Sequence, residues 1–224
     1  MRKLTILAAL AAATAISSPA MAGSVDGKLQ VKLLGTGVLP DGEITEVYTD
    51  LIGLPAGTQT KANDNVVPTV AIEYFFSPNF SIETICCVTQ HDVDGTTGLP
   101  GAELVSDAKI IPATFTAKYH LTTGGPFKPY VGAGPTYFIV FDEKPGAAAV
   151  GLGADDLKMS SELGFALQAG ADIALGDGGF GVSIDAKKYF VDTKARWFAG
   201  GTEVIATKHK LDPWVLSAGV SYRF

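Results

Sequence analysis

The chain has 224 residues, a formal net charge of −6 and 47% hydrophobic residues. This length suits one domain or at most two, and an acidic chain without a basic face is a poor partner for nucleic acid. After the N-terminal segment, no stretch approaches the ~18 consecutive apolar residues of a membrane helix. If the protein enters a membrane, it must do so as a closed β-barrel, because only helices and barrels satisfy their backbone hydrogen bonds in lipid.

The first 22 residues have the three parts of a secretory signal peptide. The segment begins with a basic pair, continues with an apolar stretch over residues 4–16 and ends on Ala20-Met21-Ala22, a typical cleavage sequence. We expect residues 1–22 to be removed and residues 23–224 to form a single domain. That domain carries 15 basic and 23 acidic side chains, a formal charge of −8.

Eight segments alternate between apolar and polar residues with a period of two, as in strands that have one apolar face. Gly, Pro, Asn and Asp, which favour turns, bound these segments. In chain order the predicted strands are residues 25–38, 66–76, 80–91, 109–121, 127–141, 157–175, 179–191 and about 205–224. The last is the clearest, with Trp214, Leu216 and Val220 on one face and small or polar residues on the other.

The connections between these strands alternate between short and long. The short turns are residues 77–79, 122–126 and 176–178, and the long loops are residues 39–65, 92–108, 142–156 and 193–204. All short turns therefore lie at one end of the sheet, an asymmetry typical of barrels with short periplasmic turns and long extracellular loops. The pattern predicts an all-β protein, an eight-stranded antiparallel transmembrane β-barrel in the cell outer membrane.

Two smaller features accompany the strands. Cys86 and Cys87 are neighbours in a predicted strand, where side chains point to opposite faces, so we expect them to pack as small apolar residues rather than form a disulfide. The Ala- and Gly-rich residues 145–154 lack the sequence of a phosphate-binding loop. They are predicted to form a flexible external loop that can include a short helical turn.

A soluble eight-stranded barrel of the lipocalin type is the alternative, and it would carry its apolar residues inward. The polar faces here consist of Gly, Ser, Thr and Ala with isolated charges, which suits a narrow interior. Aromatic residues cluster near the strand ends, as in the girdles of membrane barrels: Tyr74, Phe75, Phe76, Phe80, Tyr119, Phe127, Trp214, Tyr222 and Phe224. We therefore expect the apolar faces to contact lipid.

Charged residues of both signs occupy the faces predicted to point into the barrel. They are Lys28, Lys32, Glu73, Glu83, Lys118, His120, Lys128, Glu162, Asp172, Asp185, Lys187 and Arg223. An unpaired buried charge costs several kcal/mol, so we expect a network of ion pairs that fills the lumen. Its predicted members are Glu73, Glu83, Lys118, Lys128, Glu162, Asp172, Asp185, Lys187 and Arg223. The alternative is that part of the set lines a polar path.

Residues 91–94 place one histidine and two carboxylates where a long loop begins. This composition can bind a divalent cation weakly or assist bond cleavage, but it lacks the spacing of zinc ligands. The sequence also lacks a nucleophile motif around a serine. We expect no enzyme activity, no cofactor and no metal. A barrel enzyme that uses His91 and Asp92 is the least favoured of three hypotheses.

Five stretches occur in a characteristic order over nearly all of the chain after residue 22. They are VKLLGTGVLP (31–40), NFSIET (79–84), IIPATFTAKYH (110–120), FKPYVGAGPTYFIVFD (127–142) and LDPWVLSAGVSYRF (211–224). In these stretches the chain resembles the OmpW family of Gram-negative outer-membrane proteins. The resemblance implies an eight-stranded barrel with a narrow, largely apolar tunnel that admits small hydrophobic molecules and releases them sideways into the membrane. It also implies that the loops act as bacteriocin or phage receptors in some hosts.

We therefore expect a passive outer-membrane channel for small hydrophobic solutes, entered through a cup formed by the long loops. The candidate lining residues are Leu34, Val38, Ala71, His91, Ile110, Pro112 and Phe138. The alternative is a structural or receptor-like barrel with a plugged lumen, whose loops bind a partner. The expected partners are hydrophobic solutes, outer-membrane lipid and lipopolysaccharide, and the barrel-assembly machinery, which is expected to recognise Phe224. Arg223 is expected to pair with a carboxylate.

Overall fold

The computed structural model describes residues 23–224, so the predicted signal peptide lies outside the described residues. In chain order the elements are β1 (Leu29–Leu39), β2 (Glu43–Asp50), β3 (Thr60–Ala62), β4 (Asn65–Phe75), β5 (Phe80–Cys86), β6 (Thr89–Gly95), β7 (Glu103–His120), β8 (Phe127–Phe141), β9 (Lys144–Pro145), α1 (Ala147–Gly151), β10 (Asp156–Met159), β11 (Glu162–Ala174), β12 (Phe180–Phe190), β13 (Asp192–Ala199), β14 (Thr202–Lys210) and β15 (Trp214–Arg223). Within residues 23–224, no helix has the length and apolar character needed to cross a membrane.

Eight antiparallel strands close into a barrel. Starting at β1, the order around the wall is β4, β5, β7, β8, β11, β12 and β15, and β15 pairs with β1 again. After a break at Cys87 and Val88, β6 continues the line of β5 and pairs with the outer part of β7. The predicted fold class is therefore confirmed.

Side-chain exposure shows which face of the barrel wall points outward. Along β7, Phe115 is exposed while its neighbours Thr114 and Thr116 are buried, and the same alternation runs along the other barrel strands. Exposed aromatic rings near the short turns are those of Tyr74, Phe76, Phe80, Tyr119, Phe127, Phe180 and Phe224. The apolar faces thus lie outside the barrel, as predicted, with one exception in the predicted girdle: Phe75 is buried in the lumen.

The predicted long loops contain regular structure, so their assignment as loops is wrong in part. β10, β13, β14 and β2 form a second, four-stranded sheet at the long-loop end of the barrel. β3 and β9 lengthen other parts of the wall by pairing with β6 and β7. The alternation in β2 is weak because both of its faces are largely exposed, which explains why period two did not reveal it. The short helix α1 lies within residues 145–154, in agreement with the predicted helical turn.

Candidate functional site

A set of seven charged side chains crosses the lumen in the half of the barrel near the short turns. We call Lys32, Glu73, Glu83, Lys118, Asp172, Asp185 and Lys187 the charge cluster. Each member has a charged nitrogen or oxygen within 3.1 Å of an opposite charge, and all seven are buried. Consecutive inward positions on neighbouring strands bring them together, as Glu73 and Glu83 are directly paired between β4 and β5.

Glu83 is the centre of the charge cluster. Its carboxylate lies 2.9 Å from Lys118 Nζ and 3.1 Å from both Lys32 Nζ and Lys187 Nζ. Gln168 Nε2 donates a further hydrogen bond to Glu83 Oε1 at 2.8 Å. Removing Glu83 would therefore leave three buried ammonium groups with fewer acceptors.

Neutral donors satisfy the remaining carboxylate oxygens. Ser81 donates to Glu73, Ser183 donates to Asp172 and the Tyr130 hydroxyl donates to Asp185, at 2.5, 2.5 and 2.8 Å. Because each carboxylate has both ionic and neutral partners, the charge cluster is a satisfied network rather than a row of open sites. It fills the lumen at this level.

Two predicted members of the network, and one further residue predicted to face inward, lie apart from the charge cluster. Lys128 and Glu162 are only half-buried, because they stand near the ends of β8 and β11 at opposite ends of the barrel. The nearest polar partner of Lys128 is the backbone oxygen of Val25. Lys28 precedes β1 and is exposed. Alternation identifies the inward face of a strand but not the depth of a residue in the lumen.

The expectation that Arg223 pairs with a carboxylate is wrong. The guanidinium lies 3.6 Å from the centre of the Phe75 ring, and its Nε donates to the backbone oxygen of Gly27 at 2.5 Å. A planar, delocalised cation stacks well on an aromatic face, so a buried ring can take the place of an acidic partner. Among residues 23–224 Arg223 forms no ion pair, and the inward ring of Phe75 provides its contact instead.

On the side of the charge cluster that faces the long loops, the lumen is apolar and contains a cavity. We call this cavity, of about 40 Å³, the inner chamber. It is lined by Val38, Pro40, Ala62, Ile85, Cys87, Thr89, His91, Val93, Ala108, Ile110, Pro112, Phe138, Met159, Tyr189, Leu211, Pro213 and Val215. At its floor the Tyr189 ring packs edge-on against Phe138, with ring centres 5.3 Å apart.

The seven predicted lining residues divide between two positions. Val38, His91, Ile110, Pro112 and Phe138 line the inner chamber. Leu34 and Ala71 are buried in the apolar cluster that includes its walls, and they do not border the cavity itself. Cys87 also borders the chamber, whereas Cys86 is exposed outside the barrel; both thiols are free.

A second apolar cavity of about 40 Å³ lies farther out, under the four-stranded sheet. We call it the outer cup; it is lined by Ile44, Ile52, Leu54, Thr58, Thr60, Leu99, Leu104, Ala149, Leu152, Ala154, Trp197, Val204, Ile205, Thr207 and His209. Thr60 and His209 border the cup, while Ala62 and Leu211, two residues further along the chain, border the inner chamber. The two cavities are therefore stacked.

The barrel wall beside the inner chamber has an interruption, which we call the wall gap. The pairing of β4 with β5 ends at Val70 and Cys86, and the pairing of β3 with β6 ends at Ala62 and Val93. Within the described chain, residues 66–69 and 87–89 form no ladder pairs with each other. Pro68 lies in this interval and has no backbone N–H to donate to a neighbouring strand.

Comparison with known proteins identifies the barrel. The model of the OmpW family matches residues 25–224. The chain belongs to the OmpW family. An uncharacterized outer-membrane protein, y4mB, of Sinorhizobium fredii is 34% identical and aligns over 96% of this chain and 90% of its own. The dibenzothiophene metabolism operon protein PahQ of Pseudomonas aeruginosa is 30% identical over 80% of this chain and 81% of its own.

A solved structure agrees with this assignment. The crystal structure of the outer-membrane protein OprG from Pseudomonas aeruginosa has a TM-score of 0.78 and 25% identity to this chain, covering 91% of this chain and 99% of OprG. This OmpW-family protein is thus an outer-membrane β-barrel. Its short turns face the periplasm, and the four-stranded sheet, the extracellular sheet, lies outside.

The structure of this OmpW-family barrel does not bring His91, Asp92 and Asp94 together. His91 points into the inner chamber, whereas Asp92 and Asp94 lie on the opposite face of β6. Neighbouring strand residues point to opposite faces, so sequence proximity did not produce a catalytic or metal-binding group here. Asp92 instead accepts a hydrogen bond from the backbone of Asp107 at 2.9 Å.

Three acidic and histidine ligand atoms do converge elsewhere, inside the lumen. They belong to Glu73, His120 and Asp172 and lie within 4.8 Å of one another. Lys32 Nζ lies 2.9 Å from Glu73 and 3.1 Å from Asp172, so both carboxylates already have an ammonium group as their cationic partner. This group therefore belongs with the charge cluster.

Sequence reasoning missed several residues of the two cavities. Tyr189 shares the inward parity of Asp185 and Lys187, which was the signal that could have placed it in the lumen. Trp197 lies in a segment predicted as a loop, and His209 lies just inside the last predicted strand, so neither had a predicted cavity to line. Only the pairing of β13 with β14 brings their side chains under the extracellular sheet.

Proposed function

We propose that this OmpW-family barrel is a passive channel for small hydrophobic solutes, which pass from the outer cup into the inner chamber. The observation that carries the proposal is the stacking of two apolar cavities above a closed charge cluster. Met159 packs against the buried clusters around both cavities, so one side chain links them. An apolar solute would find apolar contacts from the cell exterior to the middle of the barrel.

The proposed exit is sideways, through the wall gap. The charge cluster fills the lumen below the inner chamber, and an apolar molecule would have to separate buried ion pairs to continue to the periplasm. The wall gap instead has Val67, Thr69 and Cys87 on its inner side and Val66 and Val88 on its outer side. Such a passage would deliver the solute to the hydrocarbon interior of the membrane.

The name of one relative supports an apolar solute. PahQ is named for an operon of dibenzothiophene metabolism, and dibenzothiophene is an aromatic compound without a charge. The apolar walls of both cavities in this chain suit molecules of that chemical class. The solute of this chain belongs, in the proposal, to the small hydrophobic molecules as a group.

Passage requires the cavities to widen. Each encloses about 40 Å³, whereas sites for drug-sized ligands have roughly 300–1,000 Å³. The walls consist of side chains held by dispersion contacts, and the flexible Met159 stands between the cavities. A solute can replace those contacts as side chains move aside.

Two tryptophan variants at adjacent positions test the proposal. Ile110 lines the inner chamber, whereas Ile111 is on the outward face of the same strand. We expect Ile110→Trp to reduce the protein-dependent uptake of naphthalene into lipopolysaccharide-containing proteoliposomes about tenfold, because 40 Å³ cannot hold an added indole ring together with a solute. Ile111→Trp is the matched control and should leave uptake unchanged.

Equal uptake by the two tryptophan variants would contradict a route through the inner chamber. Ile110→Ala should raise the naphthalene uptake rate, because the smaller side chain widens the inner chamber. Folding of each variant is checked by circular dichroism in the same vesicles.

A second candidate function is a receptor-like barrel whose extracellular sheet and loops bind a partner. The observation in its favour is the closed charge cluster, which gives the lumen no polar passage at that level. This candidate predicts that naphthalene uptake equals that of protein-free vesicles. We also propose lipopolysaccharide and membrane lipid as surroundings of the exposed apolar face, and Phe224, whose ring packs on Tyr222, as an assembly signal.

A further inference from the structure

The outer cup is apolar except for five side chains. They are Thr58, Thr60, Trp197, Thr207 and His209. Their hydrogen bonds decide whether a solute in the cup meets donors or acceptors. Each of these polar groups has a hydrogen-bond partner within the protein.

The hydrogens of three of these groups point at backbone carbonyl oxygens. Trp197 Nε1 donates to the oxygen of Leu104 at 3.0 Å. Thr58 donates to the oxygen of Pro55 at 2.6 Å. Thr60 donates to the oxygen of Gly42 at 2.5 Å. Since a carbonyl oxygen can only accept, the direction of each bond is fixed.

His209 fixes the hydrogen of the remaining threonine. Its Nδ1 lies 3.2 Å from the oxygen of Gly42 and also 3.2 Å from Oγ1 of Thr60. Because Thr60 gives its hydrogen to the Gly42 oxygen at the shorter distance of 2.5 Å, both atoms are acceptors for the ring, and Nδ1 carries the ring hydrogen. Burial lowers the pKa of His209 below its ordinary value of 6.5, which keeps the ring neutral near pH 7. Nε2 is then an acceptor, and Thr207 donates its hydroxyl hydrogen to it at 2.7 Å. The hydroxyl oxygens keep lone pairs, but the cup has no side-chain hydrogen left to donate.

The inner chamber repeats this arrangement on another strand. His91 Nδ1 donates to the oxygen of Asn63 at 2.7 Å, and Nε2 accepts from Thr89 at 2.8 Å. Both pairs have the spacing Thr-x-His, which puts the two side chains next to each other on the inward face of a strand. The chamber also contains the Tyr189 hydroxyl, 3.3 Å from Thr114 Oγ1, so the restriction to acceptors is strictest in the outer cup.

From this accounting we infer that the cavities select apolar solutes that carry a hydrogen-bond donor, such as a phenol or an alcohol, over hydrocarbons, and that they exclude carboxylates. A solute hydroxyl can donate to Thr207 or Thr89 without disturbing an existing bond. A carboxylate would find no free side-chain donor in the outer cup and would lose its hydration in an apolar cavity. This inference rests on the proposed channel function and names the solute class within it.

Three naphthalene derivatives of similar shape test the selection. Uptake of naphthalene, 1-naphthol and 1-naphthoate is measured in proteoliposomes with lipopolysaccharide in the outer leaflet, after subtraction of the protein-free rate. We expect the wild type to accelerate 1-naphthol about fivefold more than naphthalene, as one net hydrogen bond allows, and 1-naphthoate not at all.

Variants of Thr207 assign this preference to its hydroxyl. Thr207→Val keeps the shape and should reduce the ratio of 1-naphthol uptake to naphthalene uptake from about five to about one. Thr89→Val should lower this ratio to a smaller extent. Thr207→Ser restores a hydroxyl and should restore the preference. Thr84→Val, on the outward face of β5, is the control.

The possible outcomes separate the inference from the function beneath it. Naphthalene uptake without a preference for 1-naphthol, or accelerated uptake of 1-naphthoate, would overturn the inferred selection while the channel stands. A preference that survives in both valine variants would also overturn it. If the wild type accelerates none of the three solutes, the proposed channel itself fails.

Discussion

The charge cluster and the inner chamber occupy neighbouring levels of one lumen, yet they are held closed by different forces. In the charge cluster every group has a specific partner at a fixed distance, so movement of one member leaves another unpaired. In the inner chamber the contacts are dispersion contacts between apolar side chains, which a solute can replace. The first level resists opening and the second can adapt, which suits entry from outside without a through-lumen pore.

The largest expected effect comes from breaking the charge cluster at its centre. Glu83→Ala leaves Lys32, Lys118 and Lys187 short of an acceptor and should lower the free energy of unfolding by about 3–5 kcal/mol. Urea titration of the protein in lipid vesicles, followed by tryptophan fluorescence, measures this change.

Glu162→Ala is the matched control for that variant. Glu162 faces the same lumen but has no ion-pair partner among the described residues, so its removal should change the free energy of unfolding by at most about 0.5 kcal/mol. If the two variants lost equal stability, the charge cluster would not be the element that holds the periplasmic half closed.

A smaller and more local effect is expected in the extracellular sheet. Burial lowers the pKa of His209 from 6.5, so the unfolded segment binds a proton more readily than the folded one. The stabilisation from the neutral ring is complete above pH 6.5 and is lost as the pH falls below it. Hydrogen exchange of β14, corrected for intrinsic rates, should therefore accelerate between about pH 7.5 and about pH 5.5.

The barrel strands provide the internal reference for this experiment, since their exchange should not follow the same pH dependence. His209→Gln removes the titrating group, and β14 should then exchange alike at both pH values. Persistence of the acceleration in that variant would assign it to another group.

The barrel could be predicted from the sequence because the patterns that indicate it lie within single strands and their connections. Alternation along β7 and β15 marks the two faces of each strand, and the small residues opposite the aromatic ones show which face fits a narrow interior. The alternation of short turns and long loops then gives the strand order. The family resemblance added the expectation of an apolar tunnel, and the apolar lining of both cavities agrees with it.

What the sequence could not provide depends on depth and on nonlocal pairing. Glu162 and Asp172 share the inward face of β11 but lie near opposite ends of that strand, and only Asp172 reaches Lys32. Alternation does not reveal the extracellular sheet, because β2 is largely exposed on both faces. Without this sheet the sequence could not predict the outer cup beneath it. Charge alone predicts an acidic partner for Arg223, whereas the ring of Phe75, which points inward, provides its contact.

The proposed route depends most directly on where an apolar solute resides in the lumen. Photolabelling with a diazirine derivative of naphthalene, followed by mass spectrometry, maps the lumen-facing residues that the solute touches. We expect labels at Val38, Ile110 and Phe138 and at Val67 beside the wall gap, with none on the charge cluster or the residues below it. Lumen-facing labels at Ser81 or Ser183, or their absence from the inner chamber, would contradict the division of the lumen into a closed and an adaptable half.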